Sequence, residues 1–297
     1  MPIPITGHTT LYLIPGDPVS QVRAPEVFNL VFRELGIDAA LLPAHVPATG
    51  LAAFVKGAFA AQNVAGMFLA IPHKPLLMPM LDEATPLAHA AGAVNAVRRD
   101  DQGRLVGALF DGQGFIGALQ YFGIDLQSAG RILVIGAGGG ASAIAASLAS
   151  EGASSVALFD PVPGKAQEVA DRITHYFPDC QTQAVASADP AGYGLVVNAS
   201  PLGLSAGDPL PCDVDRIDAG CAVVDILMKN QPTPFVRAAR ARGLVAHPGF
   251  EMLIQQTPHY LDFFGHHAAA DAVRRDAGFI RRLICPAGML DEAGVTA

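Results

Sequence analysis

A glycine cluster in the middle of the chain carries the sharpest chemical signal. The run Ile132–Ile135 is apolar and without charge. Four glycines follow it, at Gly136, Gly138, Gly139 and Gly140. This pattern predicts a buried strand, a tight turn and a helix whose N-terminus can bind a pyrophosphate, because glycines let the backbone approach phosphate oxygens. A glycine turn without a ligand, in an ordinary α/β domain, is the alternative.

An acidic residue follows the next predicted strand. Asp160 ends the run Val156–Phe159, about twenty residues after the glycines, where a carboxylate can bind the ribose hydroxyls of NAD. The next four residues, 161–164, bring neither the positive charge nor the hydroxyl that a 2′-phosphate needs. Lys165 is expected to point along the following helix. The sequence therefore favours NAD over NADP. The alternative interpretation of Asp160 is an acid in a solvated turn.

Two further residues follow predicted strands of the first half of the chain. Lys74 comes after Ile71-Pro72-His73, and a lysine at a strand end can act as a general acid or base. Asp111 comes before a predicted helix, where an acid can equally be an N-cap. From local sequence alone, a surface lysine after a proline turn is the better interpretation of Lys74. An N-cap is an equally good interpretation of Asp111.

Composition limits the classes of function. The chain has 297 residues, 51% of them hydrophobic, and a net charge of -8, which argues against nucleic acid or a membrane as partner. Strands alternate with helices in two series, and the boundary falls near residues 112–128. Four scattered cysteines indicate reduced thiols. A histidine group at 259, 266 and 267 reads as a solvent-facing helix rather than a metal site.

Short motifs along nearly the whole chain resemble those of the shikimate/quinate dehydrogenases. Their order and spacing are specific, although each is weak alone. They are Gly16-Asp-Pro-Val-Ser20, Ile71-Pro-His-Lys74, Gly92-Ala-Val-Asn95, Asp111-Gly-x-Gly114, the glycine turn, Val197-Asn-Ala-Ser-Pro-Leu-Gly203, Asp225 with Thr233-Pro234, and Gly249-x-x-Met252-Leu-x-x-Gln256.

The resemblance implies an α/β fold with an N-terminal substrate domain and a C-terminal Rossmann domain across a cleft. The substrate domain covers 1–112 and is completed by helices in 250–297, and the Rossmann domain covers 113–249. By the same resemblance, Lys74 and Asp111 are the catalytic pair, and Asn95 and Gln256 hold substrate hydroxyls. The cofactor residues are Gly136, Gly138, Gly139, Gly140, Asp160, Asn198, Ser200 and Gly249.

The departures from the family bear on the substrate. The family holds the substrate carboxylate with a Ser-x-Ser pair before a proline, and Val22 and Ala24 stand there. Hydroxyl or amide residues of the family are also replaced at three other places, by Ala70, Leu109-Phe110 and Met228. Arg23 is a candidate replacement for the lost clamp, although strand-like alternation points it away from the site. A ring alcohol that is more apolar, or holds its acid elsewhere, is the simpler expectation.

These features predict a cytoplasmic, NAD-dependent dehydrogenase that acts on a small cyclic hydroxy acid or related polyol, without a metal. The sequence leaves a homodimer open. Two alternatives remain. One is a true shikimate or quinate dehydrogenase with a remodelled clamp, and the other is an inactive dinucleotide-binding sensor.

Overall fold

The structure, a computed structural model, describes residues 5–205, 207–228 and 231–289. Its contacts divide the chain into two compact units. The first comprises the chain up to Ala88, Ala93–Phe110 and the chain from Thr257 onward, and the second comprises His89–Gly92 and Asp111–Gln256. Each unit holds one six-stranded sheet, and the predicted α/β fold class is confirmed.

Twelve strands and twelve α-helices lie within the described ranges. The strands are β1 (Thr10–Gly16), β2 (Ala39–His45), β3 (Val64–Phe68), β4 (Glu83–Ala84), β5 (Ala96–Arg99), β6 (Leu105–Ala108), β7 (Arg131–Ile135), β8 (Ser155–Phe159), β9 (Gln181–Ala184), β10 (Leu195–Asn198), β11 (Ala222–Asp225) and β12 (Val245–Pro248). The helices are α1 (Ala24–Glu34), α2 (Leu51–Ala58), α3 (His73–Leu76), α4 (Pro86–Ala91), α5 (Asp111–Tyr121), α6 (Leu126–Ala129), α7 (Gly139–Ser150), α8 (Lys165–Tyr176), α9 (Pro234–Ala241), α10 (Phe250–Phe263), α11 (His267–Arg275) and α12 (Gly278–Ile284). Of the predicted C-terminal helical region, 290–297 lies outside the described residues.

The sheet of the first unit has the strand order β2-β1-β3-β5-β6-β4. Strand β1 pairs in parallel with both β2 and β3, whereas β5 runs antiparallel to β3 and β6. Strands β5 and β6 are consecutive in the chain and form an antiparallel hairpin. Because β1, β2 and β3 are parallel, the loops that leave their carboxyl ends share one edge of this sheet.

An aromatic cluster fills the core of the first unit and ties its C-terminal part to its sheet. The ring of Phe68 stacks on Tyr260 with centroids 4.4 Å apart, and Tyr12 meets Phe264 at 4.7 Å. The Tyr12 hydroxyl and His266 Nε2 are hydrogen-bonded at 2.8 Å. This contact shows that the expectation of a solvent-facing His266 is wrong. Burial, with a smaller effect of His267, lowers the pKa of His266 below the usual histidine value.

The sheet of the second unit is parallel throughout, in the order β12-β11-β10-β7-β8-β9. The chain leaves β7 towards β8 and β9 on one side, and it returns to β10, β11 and β12 on the other. This is the strand order of a dinucleotide-binding fold, whose ligand lies at the carboxyl ends where the order reverses. In this sheet that point lies between β7 and β10.

Close helix packing requires a residue without a Cβ at two positions of α5. A Cβ on Gly112 would overlap the carbonyl oxygen of Ala143 and the hydroxyl of Ser147 on α7. A Cβ on Gly114 would overlap the backbone of Met252 and lie 2.7 Å from the Cβ of Gln256 on α10. These glycines therefore let α5 pack directly against α7 and against the first part of α10.

No helix within 5–205, 207–228 and 231–289 is long and apolar enough to cross a membrane. Over the same ranges no three His, Cys, Asp or Glu side chains group as a metal site. All four cysteines are buried and free. Burial raises the pKa of Cys212 to about 12, which makes its thiol a weak nucleophile.

Candidate active site

The glycine turn joins β7 to α7 at the carboxyl edge of the second sheet. Gly136 has φ 112°, and a Cβ there would lie 2.7 Å from the carbonyl oxygen of Ala199, so only glycine fits. At Gly138 and Gly139 an added Cβ would meet no described atom within 4 Å. The start of α7 thus faces open space, as the cradle of a pyrophosphate must. This turn fits a dinucleotide cofactor.

The carboxylate of Asp160 lies directly over the glycine turn. Its Oδ2 accepts the N–H of Ala137 at 2.8 Å, and its Oδ1 accepts the N–H of Val162 at 3.0 Å. Burial alone would raise the pKa of Asp160, but these two N–H groups and Lys165 outweigh it and lower the pKa below the usual value. The group is therefore an anion at neutral pH.

Lys165 is placed differently from the sequence-based expectation. Its Nζ lies 3.4 Å from Asp160 Oδ2, so the expectation that it points away along the helix is wrong. Gly164 precedes it with φ 81°, and this left-handed turn brings the first residue of α8 back beside the acid. Asp160 therefore has a partly exposed cation beside it.

Two of the expected cofactor residues form hydrogen bonds with the loop after β10 through their side chains. They are Asn198 and Ser200. The Asn198 Oδ1 accepts from the N–H and the hydroxyl of Ser200, at 3.1 and 2.7 Å. Its Nδ2 donates to the carbonyl of Leu202 at 3.1 Å and to Asp225 Oδ1 at 3.1 Å. The two side chains shape the loop that packs on Gly136.

Asp225 belongs to one of the sequence motifs, which predicted no role for this residue. It is fully buried at the end of β11, and it accepts hydrogen bonds from Thr233 at 2.6 Å and from Asn198 at 3.1 Å. Burial raises its pKa above the usual carboxyl value, although these donors oppose the rise. Its signal was an acid closing an apolar strand, eight residues before an N-capping threonine. Gly249 lies beside it, where a Cβ would overlap Ile226.

Lys74 lies on the single turn α3, after the carboxyl end of β3. The carbonyl of Lys74 accepts the N–H of Val94 at 3.0 Å. This bond joins the lysine turn to the loop that carries Asn95, the next residue in the chain. The Lys74 side chain is half-buried.

The side chain of Asn95 is fully buried, and of its two amide atoms only the oxygen has a hydrogen-bond partner among the described residues. Its Oδ1 accepts the N–H of Phe110 at 3.0 Å, which fixes the orientation of the amide. Its Nδ2 has no hydrogen-bond partner among the described residues. A buried donor left unpaired costs about 1–3 kcal/mol, so this N–H group is a candidate for a substrate hydroxyl.

Asp111 and Gln256 belong to the second unit. Asp111 is the first residue of α5 and is buried. Gln256 packs on the same helix at Gly114, and its Oε1 has no partner within the described part of the chain. A buried acceptor of α10 thus lies against the helix that begins with Asp111.

Val22 and Ala24, at the positions where the resemblance implies a serine clamp, are half-buried and apolar. The Arg23 Nε donates to Glu26 Oε2 at 2.9 Å, and the two side chains are 36% and 53% exposed. The guanidinium is therefore held by an acid on the first turn of α1. This arrangement does not support Arg23 as the replacement clamp.

Phe110, at the position where the resemblance implies a threonine, has its ring nearly buried among the rings of α10. Its centroid lies 5.0 Å from that of Tyr260 and 6.0 Å from that of His259. Burial, followed by the charge of Arg274, lowers the pKa of His259. The expectation that His259 faces solvent is wrong, because this ring stacks on Phe110.

Sequence relatives decide the family. Residues 14–97 match the model described as the shikimate dehydrogenase substrate binding domain. A shikimate dehydrogenase (NADP+) of Rubrobacter xylanophilus is 36% identical over 260 residues, which cover 85% of this chain and 89% of that protein. The chain belongs to the shikimate dehydrogenase family. The resemblance inferred from the motifs is confirmed.

Two solved structures with the same fold have names that refer to different substrates. A shikimate 5-dehydrogenase of Listeria monocytogenes, in complex with shikimate and NAD, has a TM-score of 0.80 at 28% identity, over 91% of this chain and 97% of that one. The ligand-free 5-ketofructose reductase of Gluconobacter sp. strain CHM43 has a TM-score of 0.79 at 26% identity, over 91% of this chain and 99% of that one.

Proposed function

We propose that this member of the shikimate dehydrogenase family is an NAD-dependent oxidoreductase. It transfers a hydride between the cofactor and the secondary alcohol or ketone of a cyclic hydroxy acid or related polyol. The oriented amide of Asn95, with its unpaired Nδ2, carries the proposal. This donor belongs to the loop that is hydrogen-bonded to the turn of Lys74, which supports a hydroxyl-binding site beside a general base.

The proposed chemistry divides the substrate alcohol into a hydride and a proton. A bound nicotinamide dinucleotide would supply the acceptor for the hydride of the carbinol carbon. Lys74 Nζ takes the hydroxyl proton while the C–O bond becomes a carbonyl. Asp111 is the second residue of the proposed pair, and its carboxylate stabilises the ammonium that forms on Lys74; Asn95 and Gln256 bind neighbouring hydroxyls. Ketone reduction follows the same steps in reverse.

The catalytic pair makes the sensor alternative weaker, since a protein that only binds a dinucleotide has no need of a lysine and an aspartate in these positions. The inactive sensor predicts NADH binding without turnover on any alcohol. Cytoplasmic location and homodimeric assembly stay predictions.

The proposed preference for NAD rests on the charge of Asp160. The named sequence relative uses NADP+, whereas the Listeria structure contains NAD. An anion over the glycine turn accepts hydrogen bonds from two ribose hydroxyls and repels a 2′-phosphate. Lys165 weakens that repulsion, because its partly exposed ammonium lies 3.4 Å from the carboxylate. We therefore expect NAD to be preferred and NADP to be used more slowly.

Replacing Asp160 by alanine should lower the ratio of kcat/KM for NAD to kcat/KM for NADP by about 10-fold or more. The change removes the repulsion and leaves Lys165 to attract the phosphate. Asp179→Ala is the matched control, since it removes the same charge from an exposed position. Initial rates with both cofactors measure the ratio. A ratio in Asp160→Ala equal to that in Asp179→Ala would contradict the assignment of the ribose site.

The proposed substrate lacks a carboxylate at the position of the family's clamp. Val22, Ala24 and Ala70 offer no hydroxyl, and Arg23 is engaged by Glu26. The likeness to a 5-ketofructose reductase supports a polyol or its ketone as substrate. A true shikimate or quinate dehydrogenase with a remodelled clamp is the second candidate, and Arg23 turned away from Glu26 is what it would require.

A further inference from the structure

His73, the residue before Lys74, is completely buried in the first unit. Its Nε2 lies 2.8 Å from the carbonyl oxygen of Val46, in the loop that follows β2. Its other ring nitrogen, Nδ1, has no hydrogen-bond partner among the described residues. A leucine or methionine would fill the same space without leaving a polar atom unpaired, so the imidazole is retained there for its one hydrogen bond.

The partner of His73 determines the state of the ring. A carbonyl oxygen only accepts, and Nε2 must therefore carry the proton and donate it. His73 is thus a fixed donor from the lysine turn to a neighbouring loop, and no proton has to move for it to act.

The turn that carries Lys74 cannot hold its own position. Helix α3 has four residues, and so short a helix is not stable by itself. Its position depends on contacts outside the helix. Three of these are the Val94 N–H on the Lys74 carbonyl, the buried side chain of Leu77, and the His73–Val46 hydrogen bond. Of the three, the last is the only one made by a polar side chain of the turn.

The Val46 end of this bond is itself tied to the edge of the sheet. The N–H of Val46 donates to the carbonyl of Gly16 at 3.1 Å, and the N–H of Asp17 donates to the carbonyl of Ile71 at 3.0 Å. The loops after β1, β2 and β3 therefore form one hydrogen-bonded group. Its connection to α3 through the His73 ring places Lys74 relative to all three loops.

We propose that His73 is a positioning residue for Lys74. Its Nε2–H hydrogen bond to Val46 fixes the rotation of α3 and thereby the direction of the lysine side chain. The inference rests on the proposed function, in which Lys74 is the general base. Because a small displacement of a catalytic group can cost about 10²-fold in rate, a lost hydrogen bond in this place is expected to lower kcat.

Two substitutions of similar size separate the hydrogen bond from the volume of the ring. His73→Gln can keep an amide N–H near the place of Nε2, whereas His73→Met fills the space without a donor. His266→Met is the control, since it removes another histidine hydrogen bond in the same unit, the partly buried one to Tyr12. Melting temperature is recorded for each variant, and rates are expressed per folded enzyme.

Lysine labelling gives a readout that needs no substrate. The chain has four lysines, so labelling of the intact protein with an amine-reactive ester, followed by peptide mass spectrometry, resolves them individually. We expect His73→Met to change the labelling rate of Lys74 several-fold, with Lys56 and Lys165 unchanged, and to lower kcat by about 10- to 10²-fold. His73→Gln should restore both, and His266→Met should change only the melting temperature.

An unchanged Lys74 labelling rate in His73→Met overturns the inference, as does an equal loss in His73→Gln and His73→Met. Failure of the proposed function would look different. The wild-type enzyme would then turn over no cyclic alcohol, while the labelling comparison would still report on the position of Lys74.

Discussion

Lys74→Ala is expected to lower kcat by about 10²–10⁴-fold, because the substrate hydroxyl loses the group that takes its proton. The KM for NAD should stay nearly unchanged, since the cofactor residues belong to the other unit. Steady-state rates with the best alcohol substrate measure the first effect. NADH fluorescence titration confirms that the variant still binds the cofactor.

The low lysine content supplies a clean control for this experiment. Lys56→Ala removes an exposed lysine from the end of α2 and should leave kcat within about 2-fold of the wild-type value. The proposed acid/base role would be contradicted if Lys74→Ala had the same kcat as Lys56→Ala.

The second large effect is a gain. The double substitution Val22→Ser with Ala24→Ser should raise kcat/KM for shikimate by about 10²-fold, because two hydroxyl donors again meet the ring carboxylate. Each hydrogen bond to a charged group contributes about 1.5–3 kcal/mol, so two of them can supply such a factor. Rates with shikimate and with a neutral cyclic polyol, measured side by side, show whether the gain is specific to the acid.

The control for this gain is Val22→Ala, which opens nearly the same space without adding a hydroxyl. It should not raise the rate on shikimate. Arg23→Ala tests the competing interpretation, in which the arginine leaves Glu26 to bind the carboxylate. A large loss of shikimate turnover in Arg23→Ala, with no gain in the double variant, would favour a remodelled clamp over a changed substrate.

The sequence was most informative where backbone geometry and residue type are tightly linked. Gly136 requires a positive φ against the Ala199 carbonyl, and such a position shows itself as a glycine after an apolar strand. The parallel strands of the second unit, buried on both faces, show themselves as apolar runs. The alternating series was therefore correctly predicted as an α/β fold.

The sequence was least informative where a contact joins distant residues. Strand β9 is polar, Gln181 to Ala184, and lies at a sheet edge where no apolar pattern marks it. The bond between Tyr12 and His266 spans 254 positions, and nothing local distinguishes that histidine from an exposed one. Lys165 was misplaced for a related reason, since its direction depends on the left-handed turn at Gly164.

The candidate site shows the same division. Motifs proposed Lys74, Asn95 and Asp111 as site residues, but they gave no indication that the Asn95 amide is oriented by the Phe110 N–H. They likewise did not show that Asn198 is fully occupied by its own loop and by Asp225. Hydrogen-bond partners of buried polar groups are set by the three-dimensional fold, and residue type alone does not reveal them.

The central claim is that this chain oxidises a cyclic secondary alcohol with NAD. The most direct test is the initial rate of NADH formation by the wild-type enzyme with a panel of shikimate, quinate and neutral cyclic polyols. The account predicts turnover with NAD, faster than with NADP, and a higher kcat/KM on a neutral polyol than on shikimate. NADH binding without turnover on any member of the panel would contradict it.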